Sequence, residues 1–200
     1  PVPISAFHAT ENLPLPGEYE TAPTAAPVVF SNGVVFSGMR KRTTPNGINY
    51  PTMAGVPSFG LNPMGGDLVI HASIDGGATF EDVKAHYDYT ASLSPATRSN
   101  GADTEQDMEI HSLTCTLIKG GTTIKIRESP TLPSMGQTRK RECLFTNGLK
   151  GKISGFMVSS FFDIFTEVSL DGGATWVPGS SPLHCALLPY VEQENVFRTD

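Results

Sequence analysis

Five histidines, three cysteines and twenty acidic residues are the groups in this 200-residue sequence most able to carry chemistry. His8, His71, His86, His111 and His184 show neither H-x-x-x-H nor H-E-x-x-H spacing, so no helix turn would present two imidazoles to a zinc ion. Cys115, Cys143 and Cys185 contain no C-x-x-C pair, which argues against a zinc ribbon or a redox dithiol. They fit either one disulfide with a thiol left over or three buried thiols. Cys143 with a distant histidine would make a nucleophile pair, but no third group is placed to orient it. There is no P-loop, no G-x-G-x-x-G after a strand and no G-x-S-x-G elbow. The expectation is a protein that is not an enzyme and needs neither metal nor cofactor.

Two clusters remain as candidate contact sites. His86, Tyr87, Asp88 and Tyr89 form the densest polar–aromatic patch, which is either an ordinary strand or a small glycan or metal contact. Tyr50, Tyr190 and Trp176 are the other aromatic groups able to serve as a sugar platform. Two basic triplets, Arg40–Lys41–Arg42 and Arg139–Lys140–Arg141, read as solvated loop tips. On a chain with formal charge −6 they could meet acidic patches of a neighbouring copy. No basic stripe exists to displace counterions, which argues against duplex nucleic acid as a partner. No apolar run is long enough to span a bilayer.

The elements that must position these groups are announced by a repeat. Ser73–Phe80 reads SIDGGATF and Ser169–Trp176 reads SLDGGATW, six identities in eight, with the second copy 96 residues after the first. Each copy has a mechanical reading as a self-satisfied hairpin tip. Asp75 or Asp171 accepts hydrogen bonds from the turn that follows, and Thr79 or Thr175 bonds locally. Gly76–Gly77 or Gly172–Gly173 supplies positive φ. Phe80 or Trp176 folds back as an apolar plug. A basic triplet precedes each box, so the simplest account is a duplicated β unit.

Around the boxes the chain alternates short β-branched or aromatic runs with turn signals. PVVF-SNG-VVF and IKGGTTI read as hairpins, and EIHSLTCTLI breaks strict alternation in a way that calls for a bulge or burial on both faces. FEDVKAHYDY is the best short helical stretch, although it reads equally well as a strand. Gly (20) and Pro (16) are plentiful, and Pro1, Pro3, Pro14, Pro16, Pro23 and Pro27 mark an extended N-terminal arm that is neither helix nor central strand. The expected fold is all-β: an arm over 1–27 followed by two tandem antiparallel sandwich-like units, 28–95 and 96–200, with a loop-like boundary in 86–100.

The octapeptides resemble the Asp-box, a turn motif of sialidase-type propellers and other secreted β proteins, in which the box is a fold element. Two boxes do not make a propeller, and the arginine cluster of a sialidase site is missing. More widely, RESPTLPSMGQT (127–138) and SSFFDIFTEVSLDGGATWVP (159–178) are similar to segments of large secreted bacterial β-repeat proteins of surface or matrix type, often with C-terminal sorting signals. The resemblance covers roughly 103–190 and implies an extracellular or cell-surface location with no enzymatic role. The sequence starts at Pro1 without a secretion leader, as expected if a leader has been removed or the chain begins inside a longer protein. The expected function is a secreted structural subunit of a surface layer, sheath or filament, assembled by strand addition of the arm. Its partners would be further copies or other extracellular proteins. The alternatives are a carbohydrate-binding or adhesion module and an accessory subunit of a larger extracellular complex.

Overall fold

The computed structural model describes residues 6–8, 17–43, 62–147 and 151–188. Among these residues there is no helix. Thirteen strands follow one another: β1 (Ala6–His8), β2 (Gly17–Glu20), β3 (Val28–Val29), β4 (Val35–Thr43), β5 (Asn62–Ser73), β6 (Glu81–Asn100), β7 (Asp103–Lys119), β8 (Thr122–Glu128), β9 (Ser134–Asn147), β10 (Gly151–Ile164), β11 (Thr166–Ser169), β12 (Val177–Pro178) and β13 (Leu183–Leu187). All strand pairs are antiparallel, as expected for neighbours joined by short turns.

Eight strands close into a barrel in the order β10–β13–β2–β4–β5–β6–β7–β9 and back to β10. Closure pairs each of these eight strands on both sides over part of its length, where an open sheet would leave two full edges exposed. The expectation of two tandem sandwiches is therefore corrected. The stretch expected to be a loop-like boundary is the β6–β7 hairpin, turning at Gly101–Ala102 and continuous across residues 95 and 96. FEDVKAHYDY is strand throughout. The opening segment, expected to be neither helix nor central strand, also differs: β1 pairs with β10, and β2 is a barrel strand between β13 and β4. Gly17–Glu20 contains no proline, so its backbone donors can join a ladder on both sides.

At one end the barrel splays into two layers. Strands β6 and β7 pair from Asn100 and Asp103 down to Tyr87 and Cys115. Beyond that point β6 continues only on β5, whereas β7 pairs with β8 through Thr114–Lys119. The result is one sheet of β3–β4–β5–β6 and another of β7–β8–β11–β12. Their far edges meet where Phe30 bridges Gly179 and Ser180 N–H donates to Val29 O (2.9 Å). Phe30, Phe36 and Ile70 of the first layer and Leu117, Ile124 and Val168 of the second belong to one buried core. Each such side chain contributes roughly 1.5–3 kcal/mol by leaving water.

Local irregularities do what the sequence asks of them. The register shifts between Thr90 and Ala91, opposite Ser112 and Ile110, and this bulge brings Ile110 to the buried face shared by Leu113, Cys115 and Leu117. At Gly136 a Cβ would lie 2.5 Å from a ring carbon of Phe162 and 2.6 Å from Phe161 O. Only glycine lets β9 pass Phe162 this closely.

Candidate functional site

The two boxes are superposable in chemistry. Ser73 Oγ donates to Asp75 Oδ1 (2.6 Å) and accepts from Gly77 N–H (2.9 Å), while Thr79 donates N–H to Oδ1 (3.0 Å) and its hydroxyl to Oδ2 (2.6 Å). In the second box Ser169 Oγ donates to Asp171 Oδ1 (2.7 Å) and accepts from Gly173 N–H (2.8 Å). Thr175 donates N–H to Oδ1 (2.9 Å) and its hydroxyl to Oδ2 (2.6 Å). Gly76 and Gly77 have φ of 75° and 94°, and Gly172 and Gly173 have 77° and 100°. Hydrogen bonds from Ser73 and Thr79 hold the Asp75 carboxyl well below the usual carboxylate range, and Thr175 and Ser169 do the same for Asp171. Both carboxylates are thereby committed to their own turns.

The aromatic residue closing each box lies over its second glycine, half-buried. Phe80 stacks on His71 with ring centres 5.2 Å apart, and Trp176 carries the Arg127 guanidinium at 4.2 Å. Each therefore covers a charged or polar surface group instead of plugging the core.

The pleat divides the other expected clusters. Tyr87 and Tyr89 point into the barrel, stacked at 5.6 Å, whereas His86 and Asp88 face solvent with Asp67 beside them. The four residues do not form one patch, because alternate residues of a strand face opposite sides. The first basic triplet lies in β4 and is not a loop tip. Arg40 is outside, donating to Glu20 Oε1 (2.9 Å), and Lys41 is inside, 1% exposed. In the second triplet, in β9, Arg139 and Arg141 both clamp the buried carboxylate of Asp103. The side chains of Arg42, Lys140 and Cys143, and the residues Tyr50 and Tyr190, lie outside the described set.

Inside the barrel Lys41 Nζ sits over four rings: Phe162 at 4.4 Å, Tyr19 at 4.8 Å, Tyr89 at 5.1 Å and Tyr87 at 5.9 Å. No hydrogen-bond partner reaches Nζ among the described residues. Desolvation pulls the ammonium down to about 8, only slightly opposed by nearby Cys185. The π faces of the cage act in place of a counter-ion. Cys185 and Cys115 are buried free thiols, and burial pushes the Cys115 thiol up to about 12 and Cys185 upward as well, so neither is a ready nucleophile.

Directly outside this cage, a groove of about 570 Å³ runs across β2, β4, β5 and β6. Register builds it. Glu20, Arg40, Val69 and Lys84 face one another across four strands, and Gly38, His71 and Asp82 form the next outward row. His71 Nδ1 is 2.8 Å from Asp82 Oδ1. The loop Thr21–Pro23 makes one wall, and a Cβ at Gly38 would have nothing within 4 Å, so the floor is open there. Ser37, at the β4 bulge, donates to the backbone carbonyl of His71 (3.5 Å), so its hydroxyl serves the carbonyl and not the imidazole.

Of these groove residues only Arg40 and His71 stand out in the sequence, and nothing in it joins them to the others. A usable signal does exist: His71 lies two residues before the first box and Asp82 two after it, so a hairpin tip must set them side by side. No group of three or more metal-ligating side chains converges among the described residues. Compared with protein-family models, curated proteins and solved structures, the chain matches none.

Proposed function

We propose that this chain is a secreted structural protein, a self-assembling subunit of a surface layer, sheath or filament, in which the N-terminal segment is passed between neighbouring copies. The observation that carries this function is the placement of β1. It is a three-residue strand added to β10 at Phe156–Val158, beside but separate from the barrel-closing pairing of β10 with β13 at Phe161–Ile164. The barrel is closed without it, so the same berth can be filled by the chain itself or by an adjacent molecule. Residues 9–16, which contain Pro14 and Pro16, connect β1 to β2.

Duplication is the proposed origin of the scaffold, supported by matched register. Ala72 faces Glu81 across the first box, and Val168 faces Val177 across the second, shifted by the same 96 residues as the boxes. The box serine faces Val35 of β4 in the first case and Lys125 of β8 in the second. Both β4 and β8 follow a tight glycine-containing turn from the preceding strand. Each copy thus supplies one layer, β3–β4–β5–β6 or β7–β8–β11–β12. Membership among the secreted Asp-box surface proteins is proposed on the motifs alone.

The test is deletion of residues 1–8, with assembly followed by sedimentation velocity and negative-stain electron microscopy. Loss of large species with an unchanged thermal melt supports strand exchange. Assemblies of unchanged size and abundance overturn it, as does a full chain that stays monomeric at high concentration.

A further inference from the structure

We infer that the groove across β2, β4, β5 and β6 is a binding site for a neutral saccharide. Its volume of about 570 Å³ lies in the range of small-molecule sites, and all of its lining residues come from paired strands or the short loop after β2. The charged lining balances: Arg40 and Lys84 oppose Glu20 and Asp82. An anionic ligand would meet two carboxylates and a cationic one two cations, so neither sign gains. A polyol differs, because each hydroxyl both donates and accepts. Here the donors and acceptors come already paired side by side: Arg40 beside Glu20 at 2.9 Å, and His71 beside Asp82 at 2.8 Å. Each pair leaves atoms outside that bond for a ligand's hydroxyls: the other guanidinium N–H groups or imidazole Nε2, and the second carboxylate oxygen.

The remaining surface suits a sugar ring. Val69, Ala22 and Pro23 give small apolar contacts for its C–H face, and the missing side chain at Gly38 leaves room for it on the floor. His71 is braced from behind by stacking on Phe80, so the first box fixes one wall of the site. This inference is independent of how copies assemble.

The test measures binding of cellotetraose, maltotetraose, mannotetraose and tetragalacturonate to the full chain by calorimetry and amide chemical-shift mapping. At least one neutral tetrasaccharide is expected to shift the amides of Gly38, His71 and Lys84. Its affinity should fall about tenfold or more in Gly38→Leu, which fills the floor, and in Asp82→Asn, which removes an acceptor. Tetragalacturonate should bind more weakly. The site is overturned if no neutral probe binds, if tetragalacturonate binds best, or if affinity survives both substitutions. Should Gly38→Leu lower the thermal melt, Lys84→Ala, at an exposed position, takes its place with the same expectation.

Discussion

Lys41 Nζ lies 4.4 Å from the centre of the Phe162 ring, the nearest of four aromatic faces that enclose a buried ammonium. The barrel thus holds a cation where a hydrocarbon side chain would ordinarily sit. Removing a charge from water costs more than aromatic faces return.

Lys41→Met should therefore stabilise the fold, by about 1–3 kcal/mol in urea unfolding at neutral pH. A lower unfolding midpoint in the variant would refute the cage as a site of unfavourable charge burial.

The same lysine sets a pH dependence. Its folded value, about 8, lies below the ordinary 10.5, so between these values the unfolded chain binds more protons. Stability should rise with pH across that window, by about 3 kcal/mol in all, and the gain should be absent below pH 8. Because tyrosines begin to titrate near the top of the window, the readout is the difference between wild type and Lys41→Met. Parallel curves for the two proteins would contradict the assignment.

The boxes respond at the opposite end of the scale. Asp75 and Asp171 are held below the ordinary 3.8, so their contribution is present above that value and is lost as pH falls beneath it. Ser73→Ala and Ser169→Ala remove the buried hydroxyl at the centre of each turn and should cost roughly 1–2 kcal/mol apiece. Each variant should also show a weaker acid dependence than wild type. Urea unfolding at pH 7 and pH 3 reads both effects, and unaltered curves would show that the boxes hold themselves without the serine.

Gly136→Ala tests the closure of the barrel. Its Cβ would overlap Phe162 and the Phe161 carbonyl, so β9 and β10 must separate or the ring must move, at a cost of about 1–3 kcal/mol. Movement of Phe162 would also disturb the Lys41 cage, visible as a change in tyrosine near-ultraviolet dichroism. A variant with wild-type stability and dichroism would mean that this contact is slack.

In a Cys143→Ser background, Cys115 and Cys185 should remain unmodified by a thiol reagent until denaturant is added, since both are buried with thiolates disfavoured. Stoichiometric labelling of the native protein would count against their placement.

What could be foreseen was what is local. The boxes, the Gly120–Gly121 turn and the bulge in EIHSLTCTLI follow from neighbouring residues, and all appear where expected. The barrel could not be foreseen, because its closure depends on pairings such as Asp163 with His184 and Asp103 with Arg141, between segments that nothing in the local pattern connects. The basic triplets misled because charge suggests solvent. Alternation from the buried Met39 would have put Lys41 inside. The His86–Tyr89 patch fails for the same reason, and the groove stayed hidden because four strands contribute to it.

On β10, the three residues paired with β1 and the four paired with β13 lie on the same edge, and β1 and β13 run in the same direction. A segment handed from one molecule to the next in the way β1 sits here would enter this berth in line with the recipient's own closing strand. Giver and receiver would then use unlike surfaces, the arrangement that leaves both ends of a growing row unsatisfied wherever its rotation does not close a ring. Such a row has a head and a tail, and growth from a fixed starting point would proceed with one polarity along its whole length.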